Sequence, residues 1–240
     1  MKVENYQILY KTYSGSKLYG LDEEGSDDDF IGAYMPNLQQ FFGFLSLNNA
    51  KFEKGKESDT TLYSLQHFCK LISQGNFLVI ESLFAPDDKV FVCKRPFVEL
   101  RDMRNEFIGG NILVPMRGFI RHNSSHIARK PTSPQRLELF DKHGYDTKYA
   151  MHTIRLLDTC LHFIDTGEFR IDYSDLRDKY LDIKHGRLSY DECMSLIAEL
   201  DTQVNETVDG IKRDLDKEHE IAKTLEEYCI KYSRAYTKPL

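Results

Sequence analysis

The feature that most constrains this chain is a Gly-Ser turn followed by a run of acidic residues between two short apolar segments. The first segment, residues 6–13, is rich in tyrosine and aliphatic residues and stops at Gly15-Ser16, which is typical of a strand that ends in a tight turn. Six acidic residues and no basic residue lie between positions 22 and 29. Residues 30–34 have the pattern of a second, buried strand. This arrangement predicts a sheet with a turn and several carboxylates at one end of adjacent strands.

The acidic run contains two carboxylates that we expect on one side of a strand. Residues two apart share a face, so Asp27 and Asp29 point the same way while Asp28 points to the opposite side. An Asp27/Asp28 pair is the alternative, but only Asp27 and Asp29 share a strand face. Carboxylates held that close repel each other, and a divalent cation removes the repulsion. Magnesium prefers oxygen ligands and commonly binds between carboxylates and substrate phosphates.

The Gly-Ser turn has the properties of a phosphate-binding loop. Gly15 has no Cβ, so its backbone can approach a ligand closely, and free N–H groups there suit a phosphate. The Ser16 hydroxyl adds a further donor. A Gly-Ser pair alone usually marks a turn, and an acidic run alone is usually a solvated loop. Together they are the two parts that metal-dependent nucleotidyl transfer requires.

The remaining patterns predict an α/β (α+β) chain: a small mixed-sheet domain, residues 1–110, followed by a helical C-terminal domain, residues 111–240. Strands are predicted at 57–61 and 89–93, with a helix at 62–72 between them. Ser189 and Glu192 form a capping-box signature ahead of a long apolar series. That series is interpreted either as one long helix or as two helices that meet near Gly210 or His219.

A second candidate site lies on a predicted helix of the C-terminal part. Lys148, His152 and Arg155 are spaced four and three apart, which places them within about 60° of one another around a helix. Three potential cations on one face are either solvated or directed at a triphosphate. In the second case lysine supplies a point charge and arginine a bidentate fork.

With these residues in view, the chain resembles the polymerase-beta nucleotidyltransferase superfamily. Its signature is a Gly-Ser or Gly-Gly after a strand and an acidic-x-acidic pair about ten residues later, matched here by Gly15, Ser16, Asp27 and Asp29. Asp28 departs from the pattern, which usually has an apolar or aromatic residue there. The resemblance implies a third carboxylate from a neighbouring strand. Asp59 is the preferred residue for that role and Glu57 the competing one.

The chain is also similar to a narrower group, the bacterial and phage RNA-repair-associated polymerase-beta-like nucleotidyltransferases. This similarity runs over residues 6–200. The matching segments are Lys148-x-x-x-His152-x-x-Arg155-Leu156-Leu157, Tyr63-Ser64-Leu65, Gly75-Asn76 with Glu81-Ser82-Leu83, and residues 181–186. It implies that the nucleotide is bound by Gly15, Ser16, Lys17, Tyr63, Lys148, His152 and Arg155.

The resemblance implies transfer of a nucleoside monophosphate from an NTP to an acceptor hydroxyl, with one or two Mg²⁺ ions. The acceptor it implies is an RNA or tRNA end. A protein or small-molecule acceptor, or a catalytically idle nucleotide-binding protein, are the alternatives. A basic zone at 94–136 has nine Lys and Arg against three acidic residues, a local charge of +6. It suits either an RNA groove or a solvated loop.

Composition adds several expectations. The net charge of −6 excludes a protein that coats nucleic acid by bulk attraction. No apolar stretch is long enough for a membrane span, and the N-terminus lacks a signal-peptide pattern, so a cytoplasmic protein is expected. The five cysteines show no metal-binding or disulfide spacing. The long C-terminal apolar series is an element through which a homodimer could form.

Overall fold

The computed structural model describes residues 6–37, 50–54, 58–209 and 214–236. The chain divides into two compact units. The first combines Met1–Ile108 with Asp214–Leu240, and the second comprises Gly109–Arg213.

The first unit is built on a five-stranded mixed sheet in the order β3-β4-β2-β1-β5. Strands β2 and β4 are parallel, whereas the other neighbouring pairs are antiparallel. The parallel pair sets the two carboxylate-bearing strands side by side and pointing the same way. The strands are β1 Gln7–Tyr13, β2 Asp28–Met35, β3 Ala50–Lys54, β4 Ser58–Ser64 and β5 Val90–Cys93.

Ten α-helices lie in the described part of the chain. Helices α1–α4 and α10 belong to the first unit, and α5–α9 form the second. They are α1 Gly15–Tyr19, α2 Leu65–Ser73, α3 Phe77–Leu83, α4 Arg95–Asp102, α5 Gly110–Ile127, α6 Pro134–His143, α7 Thr147–Thr166, α8 Arg177–Lys184, α9 Tyr190–Val208 and α10 Leu215–Tyr236. The mixed sheet followed by a mostly helical region confirms the predicted fold class.

Aromatic packing joins the sheet of the first unit to its helices. The Tyr10 ring on β1 stacks on Phe97 of α4 at 4.8 Å, and Phe68 of α2 meets Phe97 edge-on at 5.0 Å. The Tyr10 hydroxyl donates to the Ser82 carbonyl on α3 at 2.5 Å. Because rings of α2 and α4 and a backbone carbonyl of α3 all contact Tyr10, these three helices lie on the same side of the sheet as Tyr10.

In the second unit α7 packs against α5, α8 and α9. Its apolar side buries Met151, Ile154 and Leu157, which recur every three residues along the helix. Asp146 caps the helix by accepting a hydrogen bond from the Tyr149 N–H at 3.0 Å. Ser189 and Glu192 form the predicted capping box at the start of α9.

Element boundaries differ from the sequence prediction around β4. The strand continues to Ser64, so the helix begins at Leu65 and not at Leu62. The physical reason is that residues 58–64 pair along their whole length with β2, and the Ser64 hydroxyl then accepts from the His67 N–H. Strand β3 is an additional strand on the edge of the sheet. Glu57, the competing third carboxylate, lies outside the described residues.

The C-terminal series forms two helices, since α9 ends at Val208 and α10 begins at Leu215. The prediction placed all of 111–240 in one helical domain, whereas α10 belongs to the first unit. Its buried Leu225 and Cys229 face α2, and the Tyr228 hydroxyl donates to the Pro96 carbonyl. The apolar side of this helix, which the sequence made a candidate dimer element, is therefore covered within its own chain.

Candidate functional site

Two of the predicted carboxylates lie next to each other in the sheet. Asp29 on β2 and Asp59 on β4 are direct register partners in the parallel pair. Neighbouring strands are about 4.8 Å apart, and partners in a parallel pair project to the same side. Asp29 is half-buried and Asp59 is exposed, so both can be reached by solvent. Asp27 is exposed and immediately precedes the first residue of β2.

The Gly-Ser turn lies directly against Asp29. The Ser14 N–H donates to the Asp29 carbonyl at 2.8 Å, which ties the turn to β2. Gly15 has a φ of +62°, and a Cβ at this position would be 3.2 Å from the Asp29 Oδ2. Glycine is needed here for both its left-handed backbone and its lack of a side chain. The turn therefore leaves open backbone beside a carboxylate, as a phosphate–metal site requires.

Asp28 explains the departure from the superfamily pattern. Its carboxylate pairs with the Lys17 ammonium of α1, and this hydrogen bond raises the pKa of Lys17. Asp28 is thus on the side of β2 opposite to Asp29, as the alternation predicted. Lys17, predicted to bind the nucleotide, is already engaged with an acid in this structure.

Further contacts hold α1 in place although it has only five residues. The Tyr19 hydroxyl donates to the buried Glu81 carboxylate on α3 at 2.6 Å. The Lys89 ammonium donates to the Leu18 carbonyl at 3.0 Å. Glu81 was noticed in the sequence only as part of a motif, and its role here is to anchor the helix that follows the Gly-Ser turn. The sequence feature that could have indicated this role is an acidic residue within an otherwise apolar helical segment.

The donor set suits magnesium, although the described residues contain no preformed cluster of three His, Cys, Asp or Glu side chains that could hold an ion. Magnesium keeps several waters and is usually bound by one or two carboxylates together with substrate phosphates. Asp29 and Asp59, adjacent and accessible, meet that requirement. Asp27 lies two residues before Asp29 in the sequence.

Tyr63 lies away from these carboxylates. It is four residues beyond Asp59 on β4, about 13 Å along the strand at 3.3 Å per residue. Its ring contacts His67 at 5.5 Å and Phe68 at 6.5 Å, and burial raises the pKa of its hydroxyl. Ser64, in the Tyr-Ser-Leu motif that contains Tyr63, is the N-cap of α2. Asn76, in the Gly-Asn motif that follows in the sequence, caps α3.

Lys148, His152 and Arg155 form a second group in the second unit, where they lie along α7. Lys148 is exposed, His152 is half-buried and Arg155 is 2% exposed, with its guanidinium 5.6 Å from the Tyr173 ring centre. Burial, with the neighbouring Arg155 and Lys148, lowers the pKa of His152 to about 3. The histidine is therefore neutral near pH 7, and Lys148 is the exposed cation of the three.

The basic zone is largely paired with acids and is divided between the two units. Tyr145, an aromatic residue that follows the basic zone in the sequence, is buried and donates to the Leu188 carbonyl at 2.6 Å. The ion pairs are Arg95–Glu99, Arg101–Asp87, Arg117–Asp209, Lys130–Asp141 and Arg136–Asp146. These contacts favour a structural role for much of the zone.

Other features of the described residues bear on function. A groove of about 700 Å³ lies between α2 and α10, where Cys69 and Cys229 are among its lining residues. All five cysteines are free thiols. Within the same described ranges, no helix has the length and apolarity that crossing a membrane requires.

Comparison with known proteins agrees with this geometry. A curated protein of enterobacteria phage T4, named as an uncharacterized 38.9 kDa protein in the nrdC-mobD intergenic region, is 29% identical over 130 residues. The match covers 50% of this chain but only 38% of the phage protein. No solved structure matches the chain. The model of a family described as RlaP, RNA repair pathway DNA polymerase beta family, matches residues 1–231. The chain, with its strand-end carboxylates beside a Gly-Ser turn, belongs to this RNA repair polymerase-beta family.

Proposed function

We propose that this protein transfers a nucleoside monophosphate from an NTP to an acceptor hydroxyl, an RNA end, and releases pyrophosphate. The observation that carries the proposal is the register pairing of Asp29 with Asp59 beside the open backbone of Gly15. The family description supports RNA as the acceptor. A small mixed-sheet catalytic domain and a helical nucleotide- and acceptor-binding domain remain part of the proposal.

In the proposed site, Asp27, Asp29 and Asp59 would hold Mg²⁺. Magnesium bound there supplies charge neutralisation of the phosphates and makes the acceptor hydroxyl easier to deprotonate. Asp59, the more exposed of the strand carboxylates, is also proposed to accept the proton of that hydroxyl. Gly15 and Ser16 contact the β- and γ-phosphates through backbone N–H groups and the serine hydroxyl.

We assign Lys17 a positioning role, because its ammonium pairs with Asp28. It links α1 to β2 and so sets the distance between the phosphate turn and the carboxylates. Lys148, His152 and Arg155 of the second unit are retained as nucleotide contacts only through the family motif. Tyr63 is retained as a nucleotide contact only through the family motif.

The test is to incubate the protein with each labelled NTP and Mg²⁺ and with tRNA, RNA fragments or cell lysate. We expect label on RNA, loss of transfer with EDTA, and a decrease of about 100-fold or more in Asp29→Asn. Asp88→Asn is the matched control, since Asp88 is an exposed aspartate of the same unit. It should keep full activity.

The alternative functions give different results. Label on protein or on a small molecule in place of RNA would leave the chemistry standing and exclude an RNA acceptor. Magnesium-dependent nucleotide binding with no transfer to any acceptor would identify a binding protein and contradict the proposed activity.

A further inference from the structure

Three aromatic side chains, Tyr13, Phe30 and Phe91, form a cluster on the sheet, which we call the aromatic platform. The Tyr13 and Phe30 rings are stacked, with centres 5.2 Å apart and planes at 16°. Phe91 meets both rings edge-on, at 4.8 Å from Tyr13 and 5.3 Å from Phe30. Phe91 is 53% exposed, and the other two rings are half-buried. The three rings form one continuous apolar patch, and contiguous apolar patches on a surface are where proteins bind ligands or partners.

The platform lies on the side of the sheet opposite to helices α2–α4. Phe30 follows Asp29 directly and Tyr13 is its register partner, so both rings lie on the side opposite to Tyr10 and Asp29. A register irregularity between β1 and β5, at Lys11 and Thr12, allows Phe91 to join them. With regular alternation, Phe91 would pair with Thr12 on the helix side of the sheet. Bulges of this kind redirect side chains near functional sites.

Positive charge accompanies the rings. The Lys11 ammonium lies 3.8 Å from the centre of the Phe30 ring. Lys94 is exposed at the end of β5, three residues beyond Phe91. The nearest acid on the same side of β2, Asp28, pairs with the Lys17 ammonium. Stacked aromatic rings flanked by cations are the chemistry that binds unpaired bases and the phosphates between them.

The platform is also close to the proposed site along the chain. Tyr13 immediately precedes the Ser14-Gly15 turn, and Phe30 immediately follows Asp29. One residue spans about 3.3 Å along a strand, so the rings lie on the opposite side of the sheet but within about one residue length of the edge where the carboxylates lie.

We propose that the aromatic platform binds the unpaired bases of the RNA strand whose end accepts the nucleotide. The inference rests on the proposed function for the identity of that strand. In this arrangement Phe91 stacks on a base and Lys11 contacts the adjacent phosphate. Tyr13 and Phe30 pack against the Phe91 ring and hold it in position.

The absence of tryptophan from the sequence allows a direct test with the full chain. Phe91→Trp introduces a single tryptophan on the platform. Its emission should be quenched, saturably, by a 12-nucleotide single-stranded RNA, because a stacked base quenches indole fluorescence. In fluorescence anisotropy, Phe91→Leu should weaken binding of this RNA by about 5- to 100-fold, the range expected for loss of one base stack. Phe91→Tyr should bind like the parent.

Leu78→Ala is the matched control, since Leu78 is a comparably exposed apolar residue of α3, at 43%. It should leave RNA binding unchanged. Unchanged RNA affinity in a folded Phe91→Leu variant would overturn the proposal. So would loss of self-association in Phe91→Leu without any change in RNA binding, because the platform would then be a protein interface.

The experiment separates this proposal from the proposed function. Asp29→Asn should bind the RNA normally while losing transfer. If the parent protein transfers nucleotide to no RNA, but Phe91→Leu still weakens RNA binding, the platform stands and the proposed activity fails. If transfer to RNA occurs and Phe91→Leu has no effect on binding, the activity stands and the platform fails.

Discussion

At the scale of single residues, position 15 is the one that most strictly requires its own residue type, glycine. Gly15→Ala would introduce about 1–2 kcal/mol of backbone strain at φ +62°. Its new Cβ would also lie 3.2 Å from the Asp29 Oδ2 and displace that carboxylate. We therefore expect transfer activity to fall about 10- to 100-fold, as small misplacements of reacting groups do. The measurement is kcat under saturating NTP, alongside the free energy of unfolding.

Gly25→Ala is the control for this substitution. Gly25 also has a positive φ, +83°, but nothing lies within 4 Å of an added Cβ. The variant should show a similar loss of stability and nearly full activity. Equal losses of activity in both variants would mean that backbone strain, and not the carboxylate contact, explains the Gly15 effect.

His152 makes a second prediction at this scale. Its folded pKa of about 3 lies below the ordinary value of 6.5, so the unfolded chain binds the proton first as the pH falls. The contribution of neutral His152 to the free energy of unfolding is complete above pH 6.5. As the pH falls from 6.5 to 3, this contribution decreases by up to about 1.4 kcal/mol per pH unit. Urea unfolding at pH 7 and pH 5 should show a smaller pH effect in His152→Gln. His219→Gln, at an exposed histidine of α10, should keep the parental effect.

At the scale of elements, the start of α9 depends on one side chain. Ser189 accepts from the Glu192 N–H while the Glu192 carboxylate accepts from the Ser189 N–H at 2.7 Å. Ser189→Ala should lower the free energy of unfolding by about 1 kcal/mol. Ser195 is an exposed residue of the same helix and provides the control. Ser195→Ala should be neutral or slightly stabilising, since alanine is the better helix former. Equal effects in denaturant titrations would contradict the role of the cap.

At the scale of the whole molecule, the last helix stabilises the first unit. Leu225 is 2% exposed on α10, although it lies more than a hundred residues after the sheet. Leu225→Ala should cost about 3 kcal/mol and should lower hydrogen-exchange protection in β1 and β2. Leu157→Ala on α7 should cost a similar amount but lower protection in the second unit. Protection lost around α7 in both variants would contradict the assignment of α10 to the first unit.

Local patterns in the sequence were sufficient for the fold class and for several local features. The Gly-Ser turn, the opposite sides of β2 taken by Asp28 and Asp29, and the capping box at Ser189 each involve residues a few positions apart, whereas Asp27, expected on the strand, precedes it. Their geometry follows from the period of a strand or a helix. The apolar face of α7 was predictable for the same reason.

Contacts between distant segments were decided only by the tertiary structure. The pairing of Asp29 with Asp59, the Tyr19 hydrogen bond to Glu81 and the packing of α10 on α2 join residues 30 to 160 positions apart. The neutral state of His152 also depends on burial and on neighbouring cations. Sequence periodicity indicates which face of an element is buried, but not which partner covers it. That choice depends on the packing of the whole chain, which sets the register of β2 with β4 and the partner of the last helix.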